Sequence, residues 1–163
     1  MTTAIRRAHT GDLERINEIY NYFVTTSTCT YQEEPDTLEA REAWFALHGP
    51  EYPVIVAEVD GQVVGWGALS RFHPRSAYRY TVENAVYVDP QWHRRGIGLG
   101  ILRDLISRAR LIGYQSIVAL VDADQPGSLA LHGALGFEPV GHLRQVGYKF
   151  GRWLDVAYLQ KNL

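Results

Sequence analysis

Cysteine is almost absent from this chain of 163 residues, with Cys29 standing alone. A lone cysteine excludes an intramolecular disulfide and any cysteine-based metal cluster. No nucleophile signature surrounds it, so it reads as a small packing residue. Net charge is scarce as well: sixteen Lys+Arg against eighteen Asp+Glu leave a formal −2. The bulk balance therefore offers nothing to nucleic acid, and any basic character is local. No run approaches the ~18 apolar residues a membrane helix needs, and the opening MTTAIRRAHTGD has no apolar signal segment, so a cytoplasmic protein off the membrane is expected. Internal repeats, linkers and low-complexity runs are missing. What remains, 46% hydrophobic and 21% charged, is the make-up of one globular domain, 1–163, long enough to bury a core.

The chain is organised around Tyr80 to Gly100, YTVENAVYVDPQWHRRGIGLG. Tyr80 to Val88 is rich in β-branched and aromatic residues and reads as a strand, ended by Asp89 and Pro90. Strict alternation puts Val82, Asn84, Val86 and Val88 on one face and Thr81, Glu83, Ala85 and Tyr87 on the other. The turn His93-Arg94-Arg95-Gly96-Ile97-Gly98-Leu99-Gly100 strips side chains from a backbone flanked by two arginines and then opens a helix. That is a setting for an anion, because free N–H groups at a helix N-terminus bind phosphate and glycine lets it come close. The helix carries an apolar stripe of Leu99, Leu102, Leu105, Ile106 and Ala109. Neither familiar phosphate motif fits. A dinucleotide fingerprint needs a third glycine where Ile101 stands and an acid near Val118 to Leu120, and a P-loop needs a Gly-Lys pair that the chain lacks.

Before this stretch, Ala4 to Ala8 reads as a short strand, Thr10 as an N-cap, and Gly11 to Val24 as an amphipathic helix. Thr25 to Glu34 is polar and hydroxyl-rich, an extended loop. Asp36 and Glu39 fit a capping box for a second helix through about Leu47, with Trp44 and Phe45 as core anchors. Val54 to Val59, Asp60-Gly61 and Gln62 to Leu69 form a hairpin, with Gly65 and Gly67 marking a bulge or a close backbone approach. The loop SRFHPRSAYRY follows, in which Arg71, His73, Arg75 and Arg79 alternate with Phe72, Tyr78 and Tyr80. Guanidinium groups bind carboxylate, phosphinate or sulfonyl oxygens in a forked geometry. Downstream, Ser116 to Val121 is a buried strand, Ser128 to Leu135 a short helix, and Phe137 to Leu159 two further strands around Gly147 to Gly151.

The order strand, R-x-G-x-G turn, helix, strand and L-H-G-A-L-G-F resembles the GCN5-related N-acetyltransferase (GNAT) superfamily. Within it, TVENAVYVDP, SLALHGALGF and QVGYKFGRWLD resemble the phosphinothricin and methionine sulfoximine/sulfone acetyltransferase branch. The resemblance implies a mixed α/β sheet of six to seven mostly antiparallel strands with a splayed cofactor-binding pair and about four helices. It implies acetyl-CoA as cosubstrate, no metal, a small-molecule amine as acceptor and a homodimer. Val86, Tyr87 and Val88 then offer backbone groups to the pantetheine arm. Arg94, Arg95, Gly96, Ile97, Gly98 and Leu99 take the pyrophosphate, and Gln125 stands where the family often has an asparagine near the cofactor. The family's Q/R position is His93 here.

Acetyl transfer to an amine requires the ammonium to lose a proton and the thiolate to be stabilised. A carboxylate near the amine does the first, and burial raises its pKa toward the working pH. Glu83 is the acid best placed, and it matches the glutamate assigned as general base in the resembled branch. His132 stands at the family's general-acid position, where this branch carries histidine, and is expected either to protonate the thiolate or to help hold the acceptor. Phe72, Arg75, Tyr78, Arg79 and Thr81 are the expected acceptor contacts. Acetylation of another amine and a non-catalytic acyl-CoA sensor are the alternatives.

Overall fold

The computed structural model describes residues 2–163. Asp60 and Gly61 take φ values of 50° and 81°, the two left-handed centres a two-residue hairpin requires. The strand β2 (Val54–Val59) therefore folds straight back as β3 (Gln62–Arg71). β1 (Thr3–Arg7) pairs antiparallel with the free edge of β2, and β4 (Thr81–Val88) with that of β3. β5 (Ser116–Asp122) runs parallel to β4, and a terminal hairpin of β6 (Glu138–Lys149) and β7 (Arg152–Asn162) completes a seven-stranded sheet in the order β1-β2-β3-β4-β5-β7-β6. Among the described residues four α-helices cover it, α1 (Leu13–Thr26), α2 (Leu38–Ala46), α3 (Ile97–Ile112) and α4 (Pro126–Ala134). This is the expected mixed α/β architecture. No described helix is long and apolar enough to cross a membrane.

On one face α3 presses Ile101, Leu102, Leu105, Ile106 and Ala109 into a core with Val82, Ile117 and Leu159. The stripe read from sequence is rotated slightly, with Ile101 fully buried and Leu99 half-buried. Gly65 and Gly67 allow the approach, since a Cβ on Gly67 would come within 2.5 Å of Ile101 Cγ2. Both readings of those glycines hold, for the β2–β3 ladder steps from Ala57–Gly65 to Glu58–Val63 and leaves Val64 of β3 as the extra residue beside Gly65. On the other face α1 and α2 bury Leu13, Ile16, Ile19 and Phe23 around Trp66, with Trp44 edge-on to it at 5.5 Å. Two caps differ from expectation. His9, not Thr10, caps the opening turn, sharing a capping box with Asp12, so α1 begins at Leu13. Thr37, not Asp36, caps α2, because Asp36 is drawn to the buried Arg41 guanidinium at 3.0 Å.

The feature that shapes the site is a failure to pair. β4 and β5 share a ladder only at Thr81–Ser116, Val82–Ile117 and Glu83–Val118. Beyond Glu83 the strands part, and the β5-facing backbone groups of Asn84 to Val88 have no partner strand.

Candidate active site

A cavity of about 340 Å³ fills the gap between the parted strands. Its walls are Glu83 to Val88 of β4, Ala119 to Val121 of β5, Ser27 and Cys29 from the loop after α1, and Gln125, Ser128, Leu131 and His132 from the α4 region, with His93 and Gly98 at one end. Alternation along β4 decides what each residue offers. Val86 and Val88 pack toward α3, Ala85 and Tyr87 toward α1, so Glu83 and Asn84 approach the cavity from opposite faces of the sheet.

Glu83 is half-buried, and no hydrogen bond or ion pair to its carboxylate is found among the described residues. Burial alone pushes its pKa above the ordinary carboxylate value, with no cation to pull it back. A carboxylate so placed is a better proton acceptor than a surface glutamate and is held at a cost to stability, which is a common signature of a functional group.

His132 is 4% exposed and fully engaged. Its Nδ1 lies 2.8 Å from the Ser128 carbonyl oxygen and its Nε2 3.0 Å from Asn84 Nδ2. A carbonyl only accepts and an amide nitrogen only donates, so the ring is neutral, protonated on Nδ1, with Asn84 donating to Nε2. Burial lowers its pKa and favours that form. The pair leaves Asn84 Oδ1 buried with no partner. This oxygen is an acceptor awaiting a donor, since an unpaired buried polar group is costly. Asn84 is the site residue that sequence reading overlooked. The available signal was a lone polar side chain among three valines on one strand face.

At the cavity's end the turn before α3 has the geometry of an anion seat. Arg94 and Gly96 take φ values of 61° and 77°, and Gly96 at the N-cap has no side chain to occupy the first N–H groups of the helix. Gly98 borders the cavity, whereas the Ile97 side chain is buried in the core, leaving its backbone for any ligand. Arg95 lies over the Trp92 ring at 4.8 Å. His93 donates from Nε2 to the Val88 carbonyl at 2.8 Å and stacks on Phe23, which ties the turn to the end of β4. Gln125 donates to Thr28 Oγ1 at 3.1 Å, and the buried Lys149 ammonium donates to the Ser27 and Thr30 carbonyls at 2.8 Å each. Together they hold the 27–30 loop as a wall. Uncapped N–H groups, unpaired β4 backbone and the spare Asn84 oxygen fit a long ligand with a phosphate at one end and amides along its arm.

Glu83, Val86, Tyr87, Val88, Gly98, Gln125 and His132 are thus brought together. Phe72, Arg75, Tyr78, Arg79 and Thr81 are not among the residues lining this cavity. Phe72 and His73 pack on Tyr78 at 5.8 and 4.5 Å, Arg79 lies over Tyr80, and Thr81 stands in the β4–β5 ladder. Cys29 borders the cavity as a thiol, burial pushing its pKa up. No cluster of metal-ligating side chains occurs among the described residues.

The sequence matches the model of the Acetyltransferase (GNAT) family over residues 16–137. It is 40% identical to an L-methionine sulfoximine/L-methionine sulfone acetyltransferase of Pseudomonas aeruginosa, over all of this chain and 96% of the relative. It is 37% identical to a phosphinothricin N-acetyltransferase of Alcaligenes faecalis, over 98% of this chain and 82% of the relative. The fold superposes on the crystal structure of a GNAT phosphinothricin acetyltransferase from Sinorhizobium meliloti in complex with acetyl-CoA, with a TM-score of 0.95 and 38% identity over 100% and 89% of the two chains. Parted central strands, an uncapped glycine turn and a kinship that spans the whole chain lead to one conclusion: this protein is an acyltransferase of the GNAT family.

Proposed function

We propose that the chain, acting as one domain over 1–163, transfers an acetyl group from acetyl-CoA to the α-amine of a small amino acid analogue of the phosphinothricin, methionine sulfoximine or methionine sulfone kind. The observation that carries this is the unpartnered, half-buried Glu83 at the head of the β4–β5 gap. The names of the relatives supply the acceptor class.

Acetyl-CoA supplies the acetyl group as a thioester. The N–H groups from Arg94 to Leu99 hold its pyrophosphate with the helix dipole behind them. Val86, Tyr87 and Val88 turn backbone groups that have no partner strand toward its arm, and Gln125 secures the wall beside it. Glu83 takes the proton of the acceptor ammonium, directly or through one water, and frees the lone pair for attack. Alignment in the narrow gap contributes more than any single group, because it makes the encounter effectively unimolecular. His132 holds Asn84 in the cavity wall. In its neutral form Nε2 carries no proton, so it serves the departing thiolate through Asn84 and not as a standing acid. The basic loop with Phe72, Arg75, Tyr78 and Arg79, leading into Thr81, recognises the oxyanions of the acceptor and repels polyamines. With its single unpaired cysteine and this cosubstrate, the protein works in the cytoplasm.

The test is thiol release from acetyl-CoA against a panel of phosphinothricin, methionine sulfoximine, methionine sulfone, methionine, a dipeptide and spermidine. Turnover confined to the first three is the expected result. A preference for the dipeptide or spermidine overturns the acceptor assignment. Stabilisation by acetyl-CoA without turnover on any amine marks a sensor instead.

The protein also acts as a homodimer. The terminal hairpin exposes Val140, Leu143, Val146, Tyr148, Phe150 and Trp153, each 43% or more accessible. An apolar patch of that kind marks an interaction surface. Light scattering is expected to give twice the chain mass for the wild type and a single mass for Trp153→Glu. A monomeric wild type overturns the assignment.

A further inference from the structure

The sheet face that carries Glu83 holds a second polar group directly across from it. In the β3–β4 ladder Ser70 opposes Glu83, as Ala68 opposes Ala85 and Trp66 opposes Tyr87. Directly opposed residues of an antiparallel pair point to one face, with Cβ atoms about 4.5–5.5 Å apart. Trp66 stacked on Tyr87, with ring centroids 5.0 Å apart, marks that shared face. Ser70 Oγ lies 3.0 Å from Nε2 of His48, just beyond the end of α2. Nδ1 of the same ring lies 2.9 Å from the Trp44 carbonyl oxygen.

These two contacts fix a proton. The carbonyl only accepts, so Nδ1 carries the hydrogen; in the neutral ring Nε2 is then a lone pair, and Ser70 must give it its single hydroxyl proton. Ser70 therefore turns lone pairs, not a donor, toward its remaining neighbours, Glu83 among them. An acceptor beside a carboxyl group favours the acid over the carboxylate, whereas a donor does the reverse. We propose that His48 and Ser70 are positioning residues that set the basicity of Glu83, His48 by holding the Ser70 proton away from it. The inference rests on the reading of Glu83 as the general base.

The surroundings are consistent with this. Burial, and secondarily the Arg41 guanidinium, hold the His48 pKa down and keep the ring neutral. Arg71 and Tyr52 line a second cavity of about 460 Å³ together with His48. Around Glu83 the titratable neighbours on the cavity walls are Cys29, Tyr87, His93 and His132. None is an acid, and burial keeps Cys29 and Tyr87 protonated. None of these wall residues brings a negative charge to Glu83. When Glu83 takes a proton from the acceptor, Ser70 is the acceptor waiting on the same face, and catalytic hydrogen bonds commonly tighten only in the working complex.

The experiment is a carbon-13 NMR titration of the Glu83 carboxyl group in the wild type and three variants, alongside the pH profile of kcat/KM. In His48→Phe the Ser70 proton is released to Glu83, and the carboxyl midpoint and the acid limb of the profile both move to lower pH. Ser70→Ala removes the acceptor and moves them the same way. His48→Gln, whose carbonyl oxygen still accepts the Ser70 proton, keeps the wild-type midpoint. Unmoved midpoints in His48→Phe and Ser70→Ala, or a rise in Ser70→Ala, overturn the proposal. If His48→Phe does not fold, the sign in Ser70→Ala decides alone. The two readings fail separately: full turnover in Glu83→Gln removes the base while the carboxyl titration still judges the pair, and a dead Glu83→Gln with unmoved midpoints removes only the pair.

Discussion

Glu83→Gln is expected to lower kcat/KM for acetyl transfer by ~10²-fold or more, the scale of general-base catalysis, with acetyl-CoA affinity unchanged. The substitution keeps size and burial and removes only the capacity to take a proton. Burial raises the Glu83 pKa, so in the wild type kcat/KM climbs with pH through a limb displaced above the ordinary carboxylate range. That limb disappears in the variant. The same shift has a consequence for stability with a definite sign. A carboxyl whose folded-state pKa exceeds its unfolded value contributes stability below the unfolded pKa, and that contribution is lost as pH rises through the folded pKa. Near neutrality the wild type therefore carries the cost of an ionised, half-buried carboxylate that glutamine does not. The variant is expected to melt no lower than the wild type there, and calorimetry in acid is expected to find its relative advantage gone. Loss of activity with equal or greater thermal stability separates chemistry from misfolding. Undiminished turnover across the pH range sinks Glu83 as the base.

What could be read in advance divides by range. The β4 alternation was legible because a strand's two faces follow from a period of two, and it correctly separated Glu83 from the valines. The Asp60-Gly61 hairpin was legible because only a few residues tolerate two left-handed centres in succession. The glycine turn opening α3 was legible because its signals are local, and it ends in a left-handed Gly96 at an N-cap that no side chain occupies. The cap on the turn before α1 was not, for a histidine imidazole did the work usually given to the threonine beside it. The parting of β4 from β5 was expected only from the family resemblance; the residue pattern alone does not carry it, because how far two strands pair depends on what packs over them. The finer geometry comes from partners far apart in the chain: His132 on Asn84, Lys149 on the carbonyls of Ser27 and Thr30, His48 on Ser70. Each joins groups that carry no joint pattern in the sequence, and each fixes a proton or a wall of the site. The resemblance to the acetyltransferases named a base and an acid. Hydrogen-bond bookkeeping then found His132 without a proton to give on Nε2, and that follows from the carbonyl at Nδ1 together with the Asn84 amide nitrogen at Nε2.

Gly98→Asp is expected to weaken acetyl-CoA binding on the order of 10²-fold, since two like charges about 4 Å apart repel by about 4 kcal/mol at the effective dielectric of a protein surface and salt removes part of that. The position allows the charge to be placed without disturbing the helix. A Cβ at Gly98 meets Leu131 Cδ2 at 3.5 Å and Val88 Cγ2 at 3.6 Å, ordinary contacts. The left-handed φ belongs to Gly96, not to Gly98. An aspartate in the first turn of α3 also complements the helix dipole, typically by about 0.3–1 kcal/mol. The variant is thus expected to melt at or above the wild-type temperature while calorimetry finds its acetyl-CoA affinity largely gone. Gly98→Ala supplies the control, because it adds the same Cβ without the charge and is expected to bind nearly as well as the wild type. If alanine costs as much as aspartate, the glycine matters for space, and the cofactor backbone lies closer to α3 than a phosphate seated on free N–H groups requires. If neither costs anything, the pyrophosphate does not sit at this helix, and the uncapped turn at Gly96 needs another anion to account for it.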